Sequence, residues 1–251
     1  MKAINCIDIG KLKRGLKLYF TFDEEINFKG IDLLIRKKEK FPEYLILSEP
    51  TDLKPIIATK GCMEMKVTFF GKSAHSSTPN KGESAIIKAY NFISELLDFA
   101  KELENDKNNL FSIPYTTINV GKINGGDAIN KVADKCVIEF DARTILKEHN
   151  EIIKKRLENI LKKYDCEFDI GINIEANINE DNEMINVIEE ISGNKRIAEN
   201  YVTEASFIKG SNSVVLGLGP VTAHQCNEHI EISKLNKLEE IYEKIIKYYC
   251  Y

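Results

Sequence analysis

The strongest constraint on the fold lies in the middle of the chain, where strand-like and helix-like periods alternate in a fixed order. Glu64-Met65-Lys66-Val67-Thr68-Phe69-Phe70 alternates its side chains with the two-residue period of a half-buried strand. From about Glu83 to Glu104, Ala85, Ile86, Ala89, Ile93, Leu96 and Leu97 recur at helical spacing. Strands are predicted near Thr116–Lys122 and Lys135–Asp141. A second amphipathic helix is predicted over Glu148–Lys163, with Ile152, Ile153, Leu157, Ile160 and Leu161 inward, and Cys166–Ile174 is again a strand. Two helices and four strands in the order β-α-β-β-α-β predict a ferredoxin-like α+β layer.

The flanks carry a different pattern. Leu16, Leu18, Phe20 and Phe22 alternate with Lys17, Tyr19 and Thr21, which predicts a strand with one apolar face. A helix over Ile31–Lys40 and a short, continuously apolar strand at Tyr44–Leu47 would complete a βαβ unit. Such sheets place their sites at the carboxyl ends of their strands. After Asn177 the chain returns to this layer with a helix at Glu183–Ser192, a strand at Ser213–Leu216 and a closing helix at Ser233–Tyr249. The expected organisation is an α/β domain in two parts, residues 1–58 and 176–251, interrupted by an inserted α+β domain at 59–175.

Composition narrows the function. The 251 residues carry 35 basic and 39 acidic side chains, a net charge of −4, which gives no reason to expect nucleic acid or an anionic membrane as partner. No apolar run approaches the roughly 20 residues of a membrane span, and Met1–Gly10 lacks the apolar core of a signal peptide. The six cysteines are scattered without CxxC spacing, which favours free thiols in a reducing, cytoplasmic setting. Cys226, two residues after His224, has the position of a nucleophile or ligand but no partner in the pattern.

The chemistry gathers at strand ends. The first predicted strand runs into Asp23-Glu24-Glu25, and the strand at 44–47 into Ser48-Glu49-Pro50-Thr51. Near the end stands Ala223-His224-Gln225-Cys226-Asn227-Glu228. Glu24, Glu25, Glu49 and His224 form a candidate metal and acid–base set, since zinc takes carboxylate oxygen and imidazole nitrogen. Of two adjacent acids, one can bind metal while the other takes a proton from water. Spacing alone reads equally as surface acids with a structural histidine. His75, in Ala74-His75-Ser76-Ser77, is either a turn histidine or a donor to a developing oxyanion. Arg143 ends a strand in Phe140-Asp141-Ala142-Arg143, and a guanidinium there is either a surface charge or a bidentate grip for carboxylate. Asn130 closes the tight loop Gly125-Gly126-Asp127-Ala128-Ile129-Asn130 as a further substrate contact.

Taken together, these motifs resemble the dinuclear-zinc amidohydrolase and peptidase family M20. The likeness rests on DEE at 23–25, EPT at 49–51, GxxxHSS at 71–77, GGDAxN at 125–130, DxR at 141–143 and AHQxxE at 223–228, in family order over nearly the whole chain. Ile113–Gly121 and Asn200–Ile208 place it nearest the acetylornithine deacetylase branch. The resemblance implies an incomplete zinc-exopeptidase-like α/β catalytic domain with the insertion as a dimerisation lid. It implies two Zn²⁺ or Co²⁺ ions per site in the complete family member, and a small-molecule N-acyl amino acid as substrate. Glu24 matches the general base. Glu25, Glu49 and His224 match metal ligands, and His75 matches a residue contributed across a homodimer. Asn130 and Arg143 match groups that hold the substrate carboxylate. The family's HxD segment and bridging aspartate have no counterpart before Leu16. The expectation is therefore a C-terminal portion of such an enzyme, or one half of a split one, with too few ligands for tight dinuclear binding and an exposed, sticky sheet edge.

Overall fold

The computed structural model describes residues 2–25, 28–180, 182–220 and 222–251. The chain forms two compact units. One takes residues up to 59 together with 177–199 and 203–251; the other takes 60–176 with 200–202.

The first unit opens with α1 (Lys2–Asn5), α2 (Lys29–Arg36), β1 (Tyr44–Leu47) and β2 (Ile56–Thr59). Helix α2 ends earlier than the expected Lys40, because Lys38 turns into the left-handed region at φ 54°. The expected strand at 16–22 does not form. The run takes no regular secondary structure and pairs with no strand among the described residues. It is held in place by side chains: Lys17 Nζ and the Tyr19 hydroxyl donate to Glu39 Oε1 at 2.9 and 3.0 Å, and the Thr21 hydroxyl donates to Glu204 Oε2 at 3.0 Å. The face expected to be inward is outward, with Leu16, Leu18, Phe20 and Phe22 exposed by 38, 50, 78 and 53%. Alternation reports a shape suited to a strand, whereas a strand also needs a neighbour to accept its N–H groups.

The second unit contains β3 (Gly61–Phe70), α3 (Ala85–Leu103), β4 (Thr117–Gly125), β5 (Lys135–Thr144), α4 (His149–Leu161) and β6 (Cys166–Ile174). The sheet order is β4-β5-β3-β6, antiparallel throughout. That is the ferredoxin-like arrangement the sequence predicts. One sheet face is covered by both helices. Met63, Met65, Val67 and Phe69 of β3 pack with Cys136, Ile138 and Phe140 of β5 against Ala89, Phe92 and Leu96 of α3 and Ile153 and Leu157 of α4. Two residues of the helical pattern on α3, Ile86 and Leu97, are exposed, and so is Ile152 on α4, which was expected inward. Helix α3 carries apolar residues on more than one face, and Phe92 and Phe99 take the buried one.

The first unit then resumes with β7 (Asn177–Ile178), α5 (Glu183–Ser192), β8 (Ile197–Glu199), β9 (Asn212–Val215) and α6 (Ile232–Cys250). Its sheet runs β1-β9-β2-β7, with β8 along β2. Strands β1 and β9 are parallel, Tyr44 facing Asn212 and Leu47 facing Val215. Helix α5 begins at Asn182, whose side chain accepts the Met184 N–H at 2.9 Å, and closes at Gly193 with φ 74°. Among the described residues no helix is long and apolar enough to cross a membrane.

Candidate active site

Two neighbouring parallel strands lead to one acid, Glu49, and to the histidine. Glu49 follows β1, and the loop after β9 leads to His224, so both residues lie beyond the carboxyl ends of adjacent strands. Thr51 ties the two loops together. Its buried hydroxyl oxygen accepts the Gly217 N–H at 2.9 Å, and the Thr51 and Asp52 amides both donate to the Leu218 carbonyl at 2.9 Å. Gly217 lies so close against the Glu49 backbone that a side chain there would collide with it. The EPT motif thus carries a clamp besides its acid.

Strain sits on both sides of the cluster. Asp23 (φ 52°), just before Glu24, and His224 (φ 64°) adopt left-handed backbone without being glycine, an arrangement costing roughly 1–3 kcal/mol and concentrated at functional sites. Lys29 Nζ holds Asp23 Oδ2 at 2.9 Å. His224 Nε2 stands 3.3 Å from Glu25 Oε1.

Glu24, Glu25 and Glu49 share one electrostatic environment with an acid that the motifs did not single out, Glu204. Burial raises the Glu24 carboxyl above its ordinary range, helped by Glu25 and Glu204 and opposed by His224. Burial also pushes Glu49 up to about 7, with Glu24, Glu204 and Glu25 adding repulsion. Glu204 is raised by burial and held back by the Thr21 hydroxyl. Its Oε1 is buried without a hydrogen-bond partner. Glu204 opens a short 3₁₀ turn (Glu204–Phe207) whose N-cap is Thr203. The Asn200–Ile208 segment stood out in the sequence, but an acid in a turn carries no periodic signal of its own.

The donor chemistry of this cluster suits a hard or borderline cation: half-buried carboxylates at Glu24, Glu49 and Glu204, an exposed Glu25 and imidazole, and one orphaned oxygen. The set is complete in kind and short in number. Among the described residues, no three His, Cys, Asp or Glu side chains converge where a metal ion could be held. Cys226 is an exposed free thiol.

In the second unit, His75 and Asn130 come together. The Ser76 amide donates to the Asn130 carbonyl at 3.0 Å, and His75 bridges to Lys131. The Ser77 amide donates to His75 Nδ1 at 3.2 Å, with the Ser77 hydroxyl 2.7 Å from the same nitrogen. Nδ1 is therefore the acceptor, and the ring proton sits on Nε2, pointing outward as a donor. Arg143 is elsewhere. It lies at the far end of β5, opposite Cys62, whereas the His75 loop departs beyond Phe70, opposite Lys135. Eight residues of strand at about 3.4 Å each put roughly 25 Å between the two ends. Arg143 Nε donates to Asp141 Oδ2 at 2.8 Å. One protomer does not bring Asn130 and Arg143 to a common carboxylate.

An α/β layer with an acid cluster beyond its strand ends, interrupted by a ferredoxin-like unit, is the frame of a hydrolase. Residues 57–169 match the family described as a peptidase dimerisation domain. The chain is 33% identical over 260 residues to an acetylornithine deacetylase of Photorhabdus laumondii, the match covering 99% of this chain and 67% of that protein. It is 31% identical over 265 residues to that of Yersinia pestis, covering 100% and 67%. Among solved structures it is similar to a tripeptidase of Staphylococcus aureus, with 25% identity and a TM-score of 0.76 over 91% of this chain and 62% of that one. An aminopeptidase of Bacillus cereus shares the fold at 22% identity and a TM-score of 0.73, covering 90% and 62%. The chain belongs to the M20 family of peptidases and amidohydrolases. It spans about two thirds of the length of these curated relatives, and somewhat less of the solved ones.

Proposed function

We propose that the chain serves the hydrolysis of N-acetyl-L-ornithine to L-ornithine and acetate, a step of arginine biosynthesis, in the cytoplasm and as a homodimer. The observation that carries this reading is the half-buried acid cluster beside His224, in a chain matched end to end by proteins named acetylornithine deacetylase. Glu25, Glu49 and His224 would hold metal, zinc or cobalt, two ions in the complete site. When bound, the metal would polarise the attacking water and the acyl carbonyl.

Glu24, raised by burial and like charge, takes a proton from water as its oxygen adds to the acetyl carbon. It returns that proton to the departing amine as the C–N bond breaks. His75 donates its Nε2–H to the oxyanion, while Arg143 and Asn130 grip the α-carboxylate. The separation of His75 and Asn130 from Arg143 suits a dimer in which the first pair serves the partner's site. An apolar row on α3, Ile86, Ile87, Tyr90 and Leu97, offers a surface for that dimer.

A second reading is favoured by the donor geometry, since among the described residues no three His, Cys, Asp or Glu side chains converge on one metal position. In it these 251 residues dimerise but do not turn over substrate alone, and activity needs the part of the relatives that they do not span. The same chemistry on another acyl group, as in a succinyl-diaminopimelate desuccinylase, is the neighbouring alternative. Metal content and acetylornithine turnover of the chain, alone and mixed with the part of the Photorhabdus relative that the chain does not span, test both readings. In whichever preparation turns over, Glu24→Gln should remove at least a thousandfold of the rate and leave metal content unchanged. Undiminished turnover in that variant sinks the assignment. Turnover only in the mixture identifies a split enzyme.

A further inference from the structure

Beyond β9 the chain leaves its sheet and returns as α6, and His224 stands in the loop between them. The loop is closed at its base, where the Glu231 amide donates to the Gly219 carbonyl at 3.4 Å. A second rung joins Thr222 to His229. The His229 amide donates to the Thr222 hydroxyl oxygen at 3.2 Å, and that hydroxyl donates to the His229 carbonyl at 3.3 Å. Within the tip the Gln225 amide donates to the Thr222 carbonyl and the Glu228 amide to the Gln225 carbonyl. Residues 224–231 are exposed, so the tip takes its direction from the base rather than from packing beneath it.

That base is pinned from two sides. Lys234, in the first turn of α6, places Nζ 2.6 Å from Asp52 Oδ1 and 3.4 Å from Glu231 Oε1. Asp52 belongs to the loop that carries Glu49, and its amide donates to the Leu218 carbonyl at 2.9 Å. A side chain at Gly219 would collide with Asp52. Asp52 (φ 54°) and Leu53 (φ 65°) are consecutive left-handed residues without being glycine, a conformation kept only where the surroundings over-determine it. Two turns further along α6, the Tyr242 hydroxyl donates to the Leu216 carbonyl at 2.5 Å. One helix thus holds the loop after β1 through Lys234 and the residue after β9 through Tyr242. Helix stability does not account for Lys234, because a cation in the first turn opposes the helix dipole. Nor does global stability, because an ion pair with side chains 26 and 34% exposed adds little. What the pair does is join two loops.

We infer that Asp52 and Lys234 are positioning residues for His224: their ion pair fixes the base of its loop against the Glu49 loop, and thereby the 3.3 Å approach of His224 Nε2 to Glu25 Oε1. Both act through His224. This rests on His224 belonging to the site of the proposed function, and it holds whichever acyl group is removed.

With only four histidines, the metal-free 251-residue chain can be read by its imidazole ring signals in nuclear magnetic resonance at a single pH. Glu25→Gln is the probe of the contact. In the parent chain it should move the His224 signal and leave those of His75 and His149, which belong to the other unit. In Lys234→Met that response should vanish. Amide exchange at Gln225, Glu228 and His229 should speed at least tenfold there, while exchange over residues 236–250 changes less than twofold. Lys234→Arg should restore both readouts, and Asp52→Asn should reproduce their loss. The double variant D52N/K234M should do no more than either single one. Lys237→Met removes the same charge from the same helix, where its partner is Glu240 at 3.7 Å, and should change neither readout. A His224 signal that still answers to Glu25→Gln in Lys234→Met overturns the inference, as does an equal loss in Lys237→Met or the lack of any response in the parent chain. If Lys234→Met does not fold, Asp52→Asn, which keeps the side-chain shape, is read by the same criteria. None of these readouts uses metal or substrate, so the positioning role can fail while the hydrolysis stands, and the reverse.

Discussion

The second unit and the leading edge of the first make opposite use of the same material. In β3, alternation places Met63, Met65, Val67 and Phe69 under two helices. In Leu16–Phe22, an equally regular alternation leaves its apolar members in water. The difference lies in neighbours. β3 is flanked by β5 and β6 and roofed by α3 and α4, whereas 16–22 has side-chain anchors and, among the described residues, no ladder. A periodic sequence specifies which face is apolar; only a partner decides whether that face is inside.

The contrast can be broken in four places. Phe92→Ala removes a fully buried ring from the second unit and should cost about 3–5 kcal/mol. Denaturant unfolding that reports on residues 61–174 would measure it, and a loss below 1 kcal/mol would mean that this core is far looser than it is drawn. Thr51→Val keeps the shape but strips the acceptor for the Gly217 N–H, leaving a buried donor unpaired, and should cost about 1–3 kcal/mol in the first unit.

The third test is pH. Glu49 is held near 7 by burial, so in the absence of metal the folded first unit binds a proton more tightly than the unfolded chain. Its contribution is fully present below the unfolded value near 4.5 and is lost as pH rises through about 7. Glu49→Gln should flatten that part of the stability profile, and an unchanged slope would place the proton elsewhere. The smallest effect belongs to Phe20→Ser. At a site so exposed it should move stability by no more than about 0.5 kcal/mol, while reducing self-association at high concentration. A large loss of stability would show that the alternating face is covered after all.

Much of this was legible in the sequence where the signal is local. The strand at 166–174, the helix at 183–192 and the strand at 44–47 fall where their patterns put them, because each is a single period bounded by turn residues. β2, a fully buried four-residue run, escaped notice because three apolar residues and a threonine fit several structures. In the candidate site, Glu24, Glu25, Glu49 and His224 are singled out by their motifs and their place near apolar runs. Glu204 was not, since its membership depends on where Thr21 and a 3₁₀ turn bring it. The distance from Arg143 to His75 was also hidden, because motif order says nothing of register along β5.

Two of the crossings between the units, at 59/60 and 176/177, have a consequence for the protein's modularity. Thr59 and Asn177 are paired residues on antiparallel strands, and so are Ala58 and Ile178. Residues 60–176 therefore occupy the place of a hairpin turn: in the first unit's topology, the whole ferredoxin-like layer is the tip of one loop. Because the loop's ends are already zipped, its length adds little to the entropy of closing it. The insertion could be cut away and replaced by a two-residue Asn-Gly turn without altering the pairing of β2 with β7, so that each unit becomes a separable genetic cassette.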